Sequence, residues 1–346
     1  MKALNLYGVN DLRLDEVSRP VRQPGEVLLR VRAAGICGSD IPRVFVKGTY
    51  HYPTIIGHEF AGEIIEADDG DAALVGRGAA VFPLLPCRKC GPCEAGHYAQ
   101  CEHYSYYGSR QDGGMAEYIA VRRENLSLMP EDVSYEAAAM SEPTAVALHA
   151  LRRTGMQLGQ SVLIYGVGAI GLLIAQLARA AGAAHVILAA RSAAKVRMAQ
   201  ERGFDETVDV NRVNLREYVQ DITGGGADVC IEGTGTSVGL EACVWAARTF
   251  GTVLTLGNPL GDMQLTQDGY WQILRRELRL LGTWNSSFAQ LENDWRDVMV
   301  AMKAGRLDPA SLITHRYRLE EYREAFTLMH EKRESYLKVM FVAGEA

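Results

Sequence analysis

The chain has 346 residues, 48% of them hydrophobic and 23% charged, which describes an ordinary folded protein with ample core. At about 100–200 residues per domain this length suggests two domains. A net charge of −6, from 36 basic and 42 acidic residues, argues against a nucleic-acid or anionic-membrane partner.

The opening stretch "MKALNLYGVNDLRLDEV" lacks the apolar segment of a secretory signal, and no apolar run reaches the roughly 18 residues that span a bilayer. The expectation is a cytosolic protein whose seven cysteines stay reduced. The N-terminal 145 residues hold short β-runs punctuated by glycine and proline, such as "GEVLLRVRAAG" and "MAEYIAV". They predict a β-rich, partly open barrel-like domain.

Within that region lie "GICGSDIPRVF", Gly35 to Phe45, and "IIGHEFAGE", Ile56 to Glu63; "MSEPTAVALHA", Met140 to Ala150, follows. Cys37, His58 and Glu142 offer a thiolate, an imidazole and a carboxylate, a ligand set suited to a catalytic zinc with its fourth position open. Taken singly each has a plainer reading. Cys37 could be a small buried hydrophobe, His58 a hydrogen-bonded ring, and Glu142, before Pro143, a helix N-terminus.

Between them, "CRKCGPCEAGHYAQC" sets Cys87, Cys90, Cys93 and Cys101 at Cys-x2-Cys-x2-Cys-x7-Cys spacing. A chain of this size needs no disulfide staples. Bacterial iron–sulfur runs have three residues before a fourth cysteine that precedes proline, whereas here seven intervene and Glu102 follows. Four thiolates able to wrap one ion favour a closed structural zinc.

Further on, "SVLIY" reads as a buried strand ending at Gly166, "AIGLLIAQLARAAG" as a helix stopped at Gly182, and "HVIL" as the next strand. Gly166, Gly168 and Gly171, with Ala169 and Ile170 between them, thus form G-x-G-x-x-G in a strand–turn–helix, the setting in which it binds a dinucleotide pyrophosphate. Strands at "ADVCIEGTG", "GTVLTLGN" and "LRLLGTWN" complete a β/α alternation that predicts a doubly wound, parallel, Rossmann-type α/β domain. NAD-specific folds of this type place an acid about 20 residues past the glycines. Here Ala190, Arg191 and Ser192 stand at that point, and no carboxylate occurs between Gly171 and Glu201. Arg191, Ser192 and Lys195 suit a 2′-phosphate, so NADP(H) is expected over NAD(H).

Together, "CGSD", "GHExxG", the four-cysteine lobe and the dinucleotide fingerprint resemble the zinc-containing medium-chain alcohol and polyol dehydrogenases, along essentially the whole chain. The resemblance implies a GroES-like catalytic domain from residues 1–145 and 287–346 around a Rossmann domain at 146–286, with the nicotinamide beside zinc. It implies two zinc ions: a catalytic one on Cys37, His58 and Glu142 with Glu59 as exchangeable ligand, and a structural one on Cys87, Cys90, Cys93 and Cys101. Zinc would act as Lewis acid on an alcohol that yields hydride to the nicotinamide. Asp40 would orient His58, and Ser39 would be the first hydroxyl of a proton relay. Many relatives continue the relay with a His three residues beyond that serine; this chain has Pro42 and then Arg43, so its exit must run through cofactor hydroxyls, water or another side chain. Cys230 and Cys243 match no ligand position and read as core.

Within the family, "CGSDIPRVF", "HYPTIIGHEF", "PLLPC" and "YYGSRQDGGMAEY" most resemble the galactitol-phosphate branch of the polyol dehydrogenases. The expected substrate is a sugar alcohol or its phosphate, with Arg43 and Arg110 as candidate phosphate cations. The competing enzyme readings are an unphosphorylated-polyol, threonine or simple secondary-alcohol dehydrogenase. A non-catalytic scaffold would need neither the ligand set nor Ser39. A homodimer or homotetramer is implied as well.

Overall fold

The computed structural model describes residues 1–259 and 261–344, and the chain divides into two compact units. One comprises Met1–Pro143 and the chain from Ser287 onward; the other is Thr144–Ser286. The first division falls inside the helix Ser141–Thr154. Among the described residues no helix is long and apolar enough to cross a membrane.

The first unit is organised by one strand, Glu26–Ile36. One of its edges pairs with Glu59–Glu66. The other is shared, by Tyr118–Arg122 along its first half and by Lys338–Val342 along its last residues. The sheet runs Leu126–Leu128, Gly78–Val81, Glu59–Glu66, Glu26–Ile36, Lys338–Val342, Ile313–Tyr317. A second sheet joins Asp11–Glu16, Lys2–Gly8 and Thr54–Ile55. Leu29, Ile36, Ile56, Phe60, Ile64, Phe326 and Phe341 bury the core between these strands and the helix Tyr322–Glu331. Phe82 stacks on Phe288 with ring centres 4.5 Å apart and meets the buried Trp295 edge-on at 5.7 Å. Such aromatic pairs are worth about 0.5–1.5 kcal/mol each beyond their burial, and here they fix the returning chain to this unit.

The second unit is a parallel sheet ordered Thr207–Asp209, His185–Ala190, Ser161–Tyr165, Ala227–Glu232, Ala247–Thr255, Arg279–Gly282. This is the Rossmann order. Every residue of Ser161–Tyr165 is buried, as a central parallel strand requires. Cys230 and Cys243 are fully buried in the core of this unit. The edge strand Thr207–Asp209 was not foreseen, because three residues carry too little periodicity to register.

Candidate active site

The four cysteines of the Cys87–Cys101 lobe carry no disulfide and bring their sulfurs within 4.8 Å of one another. The Cys87–Cys93 and Cys90–Cys101 sulfurs lie 4.0 Å apart. A disulfide would need about 2.05 Å. A zinc with Zn–S bonds of about 2.3 Å sets tetrahedral S–S edges near 3.8 Å, so the donor set fits that ion. Cys101 Sγ also accepts the backbone N–H groups of Cys87 (3.2 Å) and His103 (3.4 Å), which stabilise thiolate charge. The Lys89 backbone N–H, foremost, draws the Cys87 thiol down to about 6, while burial pushes Cys93 up to about 12. Ionising all four thiols at this spacing would need a cation among them.

The second constellation sits where two paired strands carry their ligands side by side. Cys37 follows the Glu26–Ile36 strand, Glu59 begins its neighbour, and Gly35 pairs in register with Glu59. Donor atoms of Cys37, His58 and Glu59 all lie within 4.8 Å of one another. A half-buried thiol beside a buried imidazole and carboxylate forms a donor set that fits zinc. Glu142 stands in the first turn of its helix, 8% exposed, and accepts a hydrogen bond from Tyr106 Oη at 3.4 Å. The Tyr106 ring meets His58 edge-on at 5.7 Å. Burial pushes the Glu142 carboxyl up to about 7; His58 opposes that shift and Glu59 adds to it. Burial likewise raises the Tyr106 phenol, with the Glu142 charge adding to it, which keeps its proton in place.

Asp40, fully buried, faces His58: its Oδ1 lies 3.6 Å from Nδ1. The same carboxylate accepts the Cys37 backbone N–H at 3.0 Å and the Arg43 guanidinium at 2.5 Å. Burial alone would raise Asp40, but His58, Arg43 and that N–H outweigh it and hold it below the usual carboxylate range. Ser39 donates its backbone N–H toward Cys37 Sγ at 3.5 Å. Arg110 has its guanidinium over the rings of Tyr50 and Tyr104.

Lys338 was missed in the sequence. Only 5% exposed, it donates to both Glu59 oxygens at 2.6 and 2.8 Å. Burial lowers the ammonium, and Glu59 and Cys37 more than restore it, leaving its pKa raised. The available signal was a lone cation inside the apolar run "YLKVMFV".

In the other unit, Gly166 takes φ +125°, open to glycine. Gly168 caps the helix Ala169–Ala180, whose first residues include Ile170. A Cβ on Gly171 would lie 2.1 Å from the Gly166 carbonyl oxygen, so helix and turn meet this closely only with glycine there. Ala190 ends its strand, and Arg191 and Ser192 are exposed just before the helix Ala193–Gln200, which carries Lys195. Register also sets Asp209 opposite Ala190 on the edge strand. The sequence interval had shown no acid there. This carboxylate accepts the Asn211 N–H at 3.0 Å and faces Arg212 at 3.7 Å.

Residues 23–131 match a family model described as alcohol dehydrogenase GroES-like domain, and residues 169–304 one described as zinc-binding dehydrogenase. The chain is 33% identical to galactitol 1-phosphate 5-dehydrogenase of Escherichia coli K12, covering 90% of this chain and 91% of that protein. It resembles a crystal structure of galactitol-1-phosphate dehydrogenase from Escherichia coli with a TM-score of 0.92, at 32% identity, across 99% and 100% of the two chains. Sorbitol dehydrogenase of Halalkalibacterium halodurans is 33% identical over 94% of this chain and 95% of that one. An NADP-bound structure from Sinorhizobium meliloti 1021 matches with a TM-score of 0.89 at 31% identity, over 99% of each chain.

Proposed function

Because this chain belongs to the zinc-containing medium-chain alcohol and polyol dehydrogenases, we propose that it oxidises a secondary hydroxyl of a sugar alcohol or sugar-alcohol phosphate, with NADP⁺ as the preferred hydride acceptor. The chain is a polyol-dehydrogenase-type zinc oxidoreductase. The observation that carries the reading is the convergence of Cys37 with the buried His58 and Glu59, with Glu142 alongside through Tyr106. Curated relatives named for phosphorylated polyols include those for galactitol 1-phosphate and D-arabitol phosphate.

Cys37, His58 and Glu142 would hold the catalytic zinc, with Glu59 as the exchangeable ligand, and Cys87, Cys90, Cys93 and Cys101 the structural one. When bound, zinc supplies the Lewis acidity that acidifies a substrate hydroxyl, and the nicotinamide supplies the hydride acceptor. Asp40 faces His58 Nδ1 and leaves Nε2 for the metal. Lys338 grips both Glu59 oxygens and would compete with a metal for that carboxylate. Tyr106 fixes Glu142 from one side. Ser39 Oγ takes the substrate's proton, and Pro42, with no donor, leaves the next step to another group.

In the nucleotide unit the Gly166–Gly171 turn and the first N–H groups of its helix would hold the pyrophosphate. Arg191, Ser192 and Lys195 would hold the 2′-phosphate. Asp209 accepts the Asn211 N–H and faces Arg212, which partly offsets its charge.

Steady-state turnover across polyols, their phosphates, simple secondary alcohols and threonine, with both cofactors and with zinc measured, tests this reading. A polyol or polyol phosphate should give the highest kcat/KM. If threonine or a simple secondary alcohol outruns every polyol in the panel, the substrate class is wrong.

A further inference from the structure

We propose that Arg110, held between Tyr50 and Tyr104, is the anion-binding end of the substrate site and recognises a phosphomonoester on the polyol. This rests on the polyol reading above and narrows it.

Of the two arginines that the sequence offers, Arg43 is committed: its side chain is only 17% exposed and its guanidinium bonds the buried Asp40. Arg110 differs. Its side chain makes no hydrogen bond or ion pair among the described residues, and two aromatic rings take the place of a carboxylate. Its Cζ lies 4.1 Å from the Tyr50 ring centre and 4.6 Å from that of Tyr104. Rings hold a guanidinium in place by its charge while leaving its five N–H donors unspent. A phosphomonoester can take two of them in the fork geometry that arginine presents, whereas a neutral hydroxyl takes one and supplies no charge.

The clamp is connected to the metal-binding groups through side chains of the same unit. Tyr104 packs against the four-cysteine cluster and stands edge-on to Tyr106 at 6.5 Å. Tyr106 in turn donates to Glu142 and meets His58. The Arg110 backbone N–H donates to the Tyr106 carbonyl at 2.9 Å, which ties the arginine to that same tyrosine. Tyr50, 69% exposed, closes the clamp from the solvent side, and Arg110 itself is half-buried. A substrate with one hydroxyl at the metal and its chain along the tyrosines would meet this cation with its far end.

The test compares galactitol 1-phosphate with galactitol in the zinc-loaded wild type, Arg110→Gln, Arg110→Lys and Tyr50→Ala, with melting temperature and zinc content as controls for folding. Inorganic phosphate binding by calorimetry supplies a readout that needs no turnover. The ester-to-polyol ratio of kcat/KM should fall about 10²-fold in Arg110→Gln, the scale of two charge-assisted hydrogen bonds, mostly through KM. It should fall less in Arg110→Lys, which keeps the charge and loses the fork, and in Tyr50→Ala. Phosphate binding should weaken in step. A wild type that prefers the ester while Arg110→Gln keeps the same ratio overturns the inference and leaves the polyol reading standing. A wild type indifferent to the phosphate overturns it too, with an unphosphorylated polyol as the substrate. If no polyol is turned over in either form, the function reading fails, and phosphate binding unchanged between wild type and Arg110→Gln overturns the inference independently.

Discussion

Glu59 and Lys338 form a buried ion pair in which the ammonium bonds both carboxylate oxygens, at 2.6 and 2.8 Å, across residues 279 apart in sequence. Gly35 lies between their strands, and a Cβ there would come 2.4 Å from Glu59 Oε2. The missing side chain is what lets the carboxylate lie over the middle strand and reach the far one.

Removing one partner of such a pair leaves a buried charge uncompensated, which typically costs about 3–5 kcal/mol. Lys338→Met should therefore lower the stability of this unit by that amount in urea unfolding, and Lys338→Arg should recover most of it. Gly35→Ala should also destabilise, because the carboxylate must move. An unchanged urea midpoint in Lys338→Met would show that Glu59 is satisfied without the lysine.

Metal content separates the two sulfur-bearing sites. The purified protein should hold two zinc ions per chain by elemental analysis. Cys90→Ser should retain about one and melt earlier, because closed-site metal binding is coupled to folding. His58→Ala should abolish turnover while leaving the fold and nucleotide binding largely intact. Stoichiometric iron with visible absorbance in the native protein would remove zinc from the four-cysteine lobe.

Ser39 is open to a cleaner test than the ligands, since its side chain binds no metal in the proposed scheme. Ser39→Ala should slow turnover by about 10²–10⁴-fold, the range for an acid–base participant, with zinc content unchanged. Near-native rates, measured where hydride transfer limits turnover, would place the proton path elsewhere.

The cofactor preference rests on the strand end at Ala190. Wild-type kcat/KM should be higher with NADP⁺ than with NAD⁺, and Ala190→Asp combined with Arg191→Ser should reverse the order. Asp209→Asn separates the neighbouring acid from this effect: it should shift the preference little, because Asn211 and Arg212 already engage that carboxylate. Equal or better efficiency with NAD⁺ in the unmodified enzyme would reduce Arg191 to a surface charge.

What the sequence determined by itself is what the chain encodes over short spans. Four cysteines within fifteen residues converge because a short loop can fold back on one ion, and the Gly166–Gly171 turn is a property of the residues between one strand and one helix. Strand–helix alternation likewise marked the parallel sheet, apart from the three-residue edge at Thr207–Asp209. Tertiary structure alone decided the relations that depend on register between distant strands and on loop packing. Lys338 meets Glu59, Asp209 comes beside Ala190, and Arg110 lies against Tyr50 and Tyr104. Shifting a strand by one residue would turn Lys338 or Asp209 to the opposite face, and nothing in the local sequence fixes that register. It is set by the whole buried core, which is why the candidate ligands and Asp40 were legible and Lys338 was not.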